Sequence, residues 1–124
     1  MEKQLFEKVS EFLTDTNRLY EEYIDDAGNL IKSTESLSHL TSAMRSGLEV
    51  YNLVLSAEEY KEDSDIQGVL CEIAKQVEKV KATEANAKKL DFVNSFVVWE
   101  SIVGNALALC TLLLAGVEVQ EDEE

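Results

Sequence analysis

Residues 96–117 read FVVWESIVGNALALCTLLLAGV, with Glu100 the single charge among them. A helix on the surface of a domain carries one apolar stripe, whereas this segment is apolar almost all the way round and as a helix must be surrounded by other structure. Its uncharged part, residues 101–117, just reaches the lower length limit for crossing a bilayer. It contains Ser101, Asn105 and Thr111, however, and acids follow it, and Glu100 would add a penalty of a few kcal/mol at depth. The expected reading is the buried central helix of a soluble domain, not a membrane anchor.

Two lines run along this helix. Ser101, Gly104, Ala108, Thr111 and Ala115 recur at steps of three and four, a small-residue groove that admits the backbone of another helix. Val98, Ile102, Asn105, Leu109 and Leu112 form a second line with one amide in it. A single core Asn can set the register and number of partners in a helix oligomer, and it can equally be hydrogen-bonded inside its own bundle. Phe96, Trp99, Val103 and Leu114 would together exceed the few hundred Å² of apolar patch that a monomer shows, so self-association is expected.

Working outward, three more helical segments precede this one. Leu5, Val9, Phe12, Thr16, Leu19 and Tyr23 stack on one face of a helix over residues 2–25, with Gly28 and Asn29 as its left-handed stop. Leu37, Leu40, Met44, Leu48, Tyr51 and Leu55 mark a second helix ending near Ser56, in which Gly47 reads as a close helix approach. Ser56 with Glu59 and Ser64 with Gln67 match the capping-box pattern and bracket an acidic connection. Ile66, Leu70, Ile73, Val77 and Val80 then define a third helix, with Lys75, Lys79, Lys81, Lys88 and Lys89 toward its end. The apolar pattern thins near residues 86–91, where Asp91 or Asn94 could cap a separate fourth helix running to about Val117. The fold class follows: all-α, an up-and-down four-helix bundle with a very apolar C-terminal helix. Residues 1–117 form one domain and residues 118–124 a frayed acidic tail.

Composition bounds the function. An apolar share of 45% with 7% aromatic residues specifies a folded chain, and the absence of Pro lets helices run long. Twenty-five acidic against eleven basic residues leave a net charge of −14. That charge excludes direct binding to a phosphate backbone, which rests on Lys and Arg, and favours a basic protein partner. Cys71 and Cys110 lie in apolar helical patterns without CxxC spacing, and no secretory signal precedes them. They are read as buried, reduced thiols in a cytoplasmic protein.

No catalytic constellation emerges, and no cofactor or metal is called for. The sole histidine, His39, cannot supply a di-iron or zinc set and reads as a surface or boundary side chain. Glu21, Glu22, Asp25 and Asp26, and likewise Glu58, Glu59, Glu62 and Asp63, place carboxylates one turn apart, as all-helical magnesium-dependent nucleotide hydrolases do. Both sets fall at helix ends, where solvation is the simpler reading.

Trp99-Glu100-Ser101-Ile102-Val103 resembles, over five positions, the Trp-Gly-Arg-Ile-Val core of the first homology motif of Bcl-2-like proteins. Glu100 and Ser101 stand where that family carries the Gly and Arg that engage its ligand helix, so the likeness implies no ligand groove here. In charge and size alone, the chain resembles small acidic helical proteins, some of them phage-encoded inhibitors of host defence, that imitate nucleic acid to block a basic groove.

The expectation is a non-enzymatic, self-associating, protein-binding module, an adaptor or inhibitor; the alternatives are an acidic nucleic-acid-mimicking inhibitor of a basic protein and a small all-helical magnesium-dependent nucleotide hydrolase built on the two carboxylate clusters. Its candidate interaction residues are Glu58, Glu59, Glu62 and Asp63 at an acidic pole, and Ser101, Gly104, Asn105 and Ala108 on the fourth helix.

Overall fold

Apolar residues at alternating steps of three and four make the chain helical wherever the pattern persists. In the computed structural model these stretches are α1 (Lys3–Glu22), α2 (Thr34–Ser56), α3 (Ser64–Asn86) and α4 (Phe92–Asp122), with a 3₁₀ turn at Glu58–Tyr60. The structure describes the backbone of residues 2–86 and 92–122, and side chains at 2–80 and 96–116. The expected cap at Asp91 and the lysines Lys88 and Lys89 lie outside the described residues. Asn94 is no cap, because α4 begins two residues before it. At its other end α4 continues past Val117 to Asp122.

Leu5, Val9, Phe12, Thr16 and Leu19 are the buried face of α1, and the Thr16 hydroxyl donates to the Phe12 carbonyl at 2.8 Å. The helix stops at Glu22, short of the expected residue 25. Gly28 does not cap it: the left-handed φ of +84° serves the connection instead. There Asp25 Oδ1 accepts from the amides of Ala27 and Asn29, and Ile24 pairs with Leu30, so the α1–α2 connection is a closed hydrogen-bonded loop.

The α2 helix turns a different line inward from the one its largest residues suggest. Ser36, Leu40, Ala43, Gly47, Val50 and Val54 are buried together with Met44, whereas Leu37, Leu48 and Tyr51 are half-buried and Leu55 is 49% exposed. Ala43 and Gly47 on the inner line let neighbouring helices come close beside the buried Leu40, Val50 and Val54, and Leu37, Leu48 and Tyr51 close the flanks. Gly47 marks the tightest point. A Cβ there would lie 2.9 Å from the Ala106 Cβ of α4 and 3.0 Å from Cε1 of Phe12 in α1, so three helices meet at a position that only glycine fits.

Capping also differs from expectation. Ser33 and Ser36 form a reciprocal box at the start of α2. Ser56 caps nothing; its hydroxyl donates back to the Asn52 carbonyl within α2. At α3 the cap is Asp63, not Ser64. The Asp63 Oδ1 accepts from the amides of Asp65 and Ile66, each at 3.1 Å, and Gln67 donates its side-chain amide to the Tyr60 carbonyl. A carboxylate at the start of a helix satisfies orphan amides and meets the positive end of the dipole, which favours Asp63 over a neutral hydroxyl.

Packing joins α1 to α2, α2 to α4 and α3 to α4 over broad contacts, while α1 with α4 and α2 with α3 touch only slightly. The bundle is thus two helical hairpins that meet along α2 and α4. Ion pairing of Lys8 with Glu49 at 3.0 Å and a Ser46 hydroxyl on Asp15 at 2.8 Å fix α1 antiparallel to α2. The α4 helix runs parallel to α2: Glu100, near its start, shares a hollow with Leu30, Ile31 and Lys32, and Ala106 meets Gly47 midway. At a rise of 1.5 Å per residue, α4 extends on the order of 10 Å beyond the end of α2. Its final turns therefore lead toward the pole that holds the α2–α3 connection.

Candidate functional site

The α4 helix has two unlike sides. Phe96, Ile102, Val103, Ala106, Leu109, Cys110 and Leu113 are buried against α2 and α3. On the opposite side Val97, Gly104, Ala108, Thr111 and Ala115 are exposed and Ser101 is half-buried. Half-exposed Val98, Leu107, Leu112 and Leu114 border this stripe. The expectation that α4 is surrounded is therefore corrected: one third of its apolar stretch Phe96–Gly116 is buried. The large residues whose exposure suggested self-association are themselves covered, Phe96 and Val103 fully and Trp99 and Leu114 in part. From Gly104 to Ala115 the exposed positions of the stripe are small residues, with Val97 the one large apolar residue exposed before them.

Of the predicted interaction residues on this helix, Gly104 and Ala108 stand open, and a Cβ at Gly104 would meet nothing within 4 Å. The half-buried Asn105 donates its side-chain amide to the Ser101 carbonyl at 3.1 Å, a bond within its own helix. Glu100 is half-buried at the start of the stripe. Together with Asp25, Asn29, Leu30, Ile31 and Lys32 it lines a hollow of about 550 Å³. It also lies close enough to Tyr20 of α1 to assist burial, the larger cause, in pushing that phenol's pKa up.

The acidic connection divides as well. Glu58 is exposed and holds Lys61 at 2.7 Å; Glu59 and Glu62 are exposed. Burial, with a smaller contribution from Glu59, pushes the Tyr60 hydroxyl up to about 12. Asp63 is committed to the α3 amides. The structure thus gathers Glu58, Glu59, Glu62 and Asp63 in one connection and places the α4 stripe on a separate surface.

The groups of possible chemistry stay apart. Burial drives the Cys110 thiol up to about 12, which keeps it protonated and inert at neutral pH. Cys71, expected to be buried, is exposed on α3, because it sits one position off the narrow Ile66–Leu70–Ile73 face. His39 is half-buried, with its ring 5.2 Å from that of Tyr23. Among the described residues no three His, Cys, Asp or Glu side chains come together closely enough to hold a metal ion. By length and composition alone, Phe96–Gly116 could cross a membrane; in the fold, its larger residues supply the core.

The signal that sequence reasoning passed over is the small pair Ala43 and Gly47 on α2, buried beside Leu40 and Met44, with Gly47 at the close approach of Ala106 and Phe12. The chain matches no family model, no curated protein and no solved structure, so the functional argument rests on its own residues.

Proposed function

We propose that this chain is a non-enzymatic protein-binding module of the cytoplasm that associates with a second copy through the outward face of α4. One observation carries the reading. Gly47 of α2 lets α1 and α4 approach closely within the chain, and the outward line of α4, from Val97 to Ala115, is uncharged and carries small residues at helical spacing from Ser101 onward. It spans roughly 27 Å at helical rise, enough for a paired helix to follow. In a molecule of charge −14 its residues from Ser101 to Ala115 are also a surface on which two copies can meet with a carboxylate, Glu100, only at the margin. The test is light scattering at micromolar concentration. Self-association should give a mass above 13.9 kDa, and Ala108→Glu, which meets open space in the single chain, should return it to that value with helicity intact. A wild-type protein that stays at the monomer mass removes the proposal.

A second reading concerns the partner, and the parallel course of α2 and α4 favours it. The α2–α3 connection together with the first turn of α3, Glu58 to Asp65, has a net charge of −4, and the backbone of α4 leads its acidic end toward the same pole. Such a pole suits a basic protein, including one whose groove normally holds nucleic acid, and makes the chain an adaptor or a nucleic-acid-mimicking inhibitor. Affinity capture from the native host should recover a basic protein that is released by several hundred millimolar salt. Reversing Glu58, Glu59 and Glu62 to Lys, with the Asp63 cap left in place, should slow its association. Capture that withstands salt and charge reversal would rule out the electrostatic reading.

A further inference from the structure

We draw no further inference here: the strongest candidate, the hollow between the α1–α2 connection and the start of α4 lined by Asp25, Asn29, Lys32 and Glu100, is an acidic cluster on a hydrogen-bonded loop, and nothing in the structure shows what covers it.

Discussion

Small residues at helical spacing occur on both α2 and α4 and meet opposite fates. Ala43 and Gly47 of α2 lie buried, Gly47 at the approach of α1 and α4, while Gly104, Ala108, Thr111 and Ala115 of α4 face outward. The contrast teaches that small size at helical spacing identifies a surface that can be approached closely, without saying from which side. In α2 the approach is made within the chain, and the cost of a helical glycine, about 1 kcal/mol relative to Ala, is offset by the packing it permits at Ala106 and Phe12. In α4 the same cost at Gly104 has no return inside the single chain, which is why the outward line is read as a docking seam.

The largest expected effect comes from the buried side of α4. Leu109 is fully buried, and Leu109→Ala should destabilise the fold by about 2–5 kcal/mol through lost burial and the cavity left behind. One and two positions away, Ala108→Ser or Thr111→Ala on the outward side should change stability by no more than about 0.5 kcal/mol. Urea unfolding of the three variants measures the division directly; comparable losses on both sides would mean that α4 is enclosed in solution and that the contrast with α2 is false.

The α2 seam has its own test. Gly47→Ala forces a methyl against the Ala106 Cβ and the Phe12 ring, and this overpacking should cost about 1–3 kcal/mol despite the better helix propensity of Ala. Removing the opposing methyl as well, in Gly47→Ala with Ala106→Gly, should recover part of the loss, since the two sites are in contact and couple. A purely additive double variant would place the cost at Phe12 alone.

How far the sequence carried the fold depends on what each helix left unambiguous. In α1 the apolar face is bounded by charges, and its buried set was legible residue by residue from Leu5 to Leu19. In α2 the spacing pointed to Leu37, Leu40, Met44, Leu48, Tyr51 and Leu55; Leu40 and Met44 are buried, but the inner line continues through Ala43, Gly47, Val50 and Val54, and although the glycine was readable as a close approach, its consequence for the whole face was not. In α4 nearly every position is apolar, so periodicity holds no information about orientation, and the exposed stripe emerges only when α2 and α3 are in place. The caps failed for a local reason: Asp63 and Ser64 are adjacent candidates, and only the geometry of the amides of Asp65 and Ile66 decides between them. Of the candidate site, the sequence identified which residues stand together in the acidic connection and on α4, but it could not separate Asp63, which the fold uses, from its neighbours.

That separation gives a smaller effect. Asp63→Ala should cost about 0.5–2 kcal/mol, the usual loss for an N-cap, whereas Glu62→Ala, an exposed carboxylate without a cap role, should leave stability within about 0.5 kcal/mol. Thermal or urea denaturation of both variants checks the pair. Equal effects would mean that the acidic connection acts as one electrostatic unit, and Asp63 would rejoin the surface that a basic partner could meet.

The smallest effect is the most informative, because its sign depends on whether the α4 stripe is occupied. In the single chain a Cβ at Gly104 meets nothing within 4 Å, so Gly104→Ala should stabilise the helix by about 0.5–1 kcal/mol. For a chain of this length that is a rise in Tm of a few degrees. In a paired form, the same methyl stands on the small-residue line where backbones approach, as a methyl at Gly47 does within the bundle, and association should weaken. Circular dichroism melting at low micromolar and at tens of micromolar protein, with light scattering at each concentration, separates the cases. A gain at low concentration that shrinks or reverses at high concentration, with a lower average mass, supports the docking seam. An equal gain at both concentrations with unchanged mass would show that α4 presents its stripe only to water, and the likeness to the α2 seam would then be one of sequence alone.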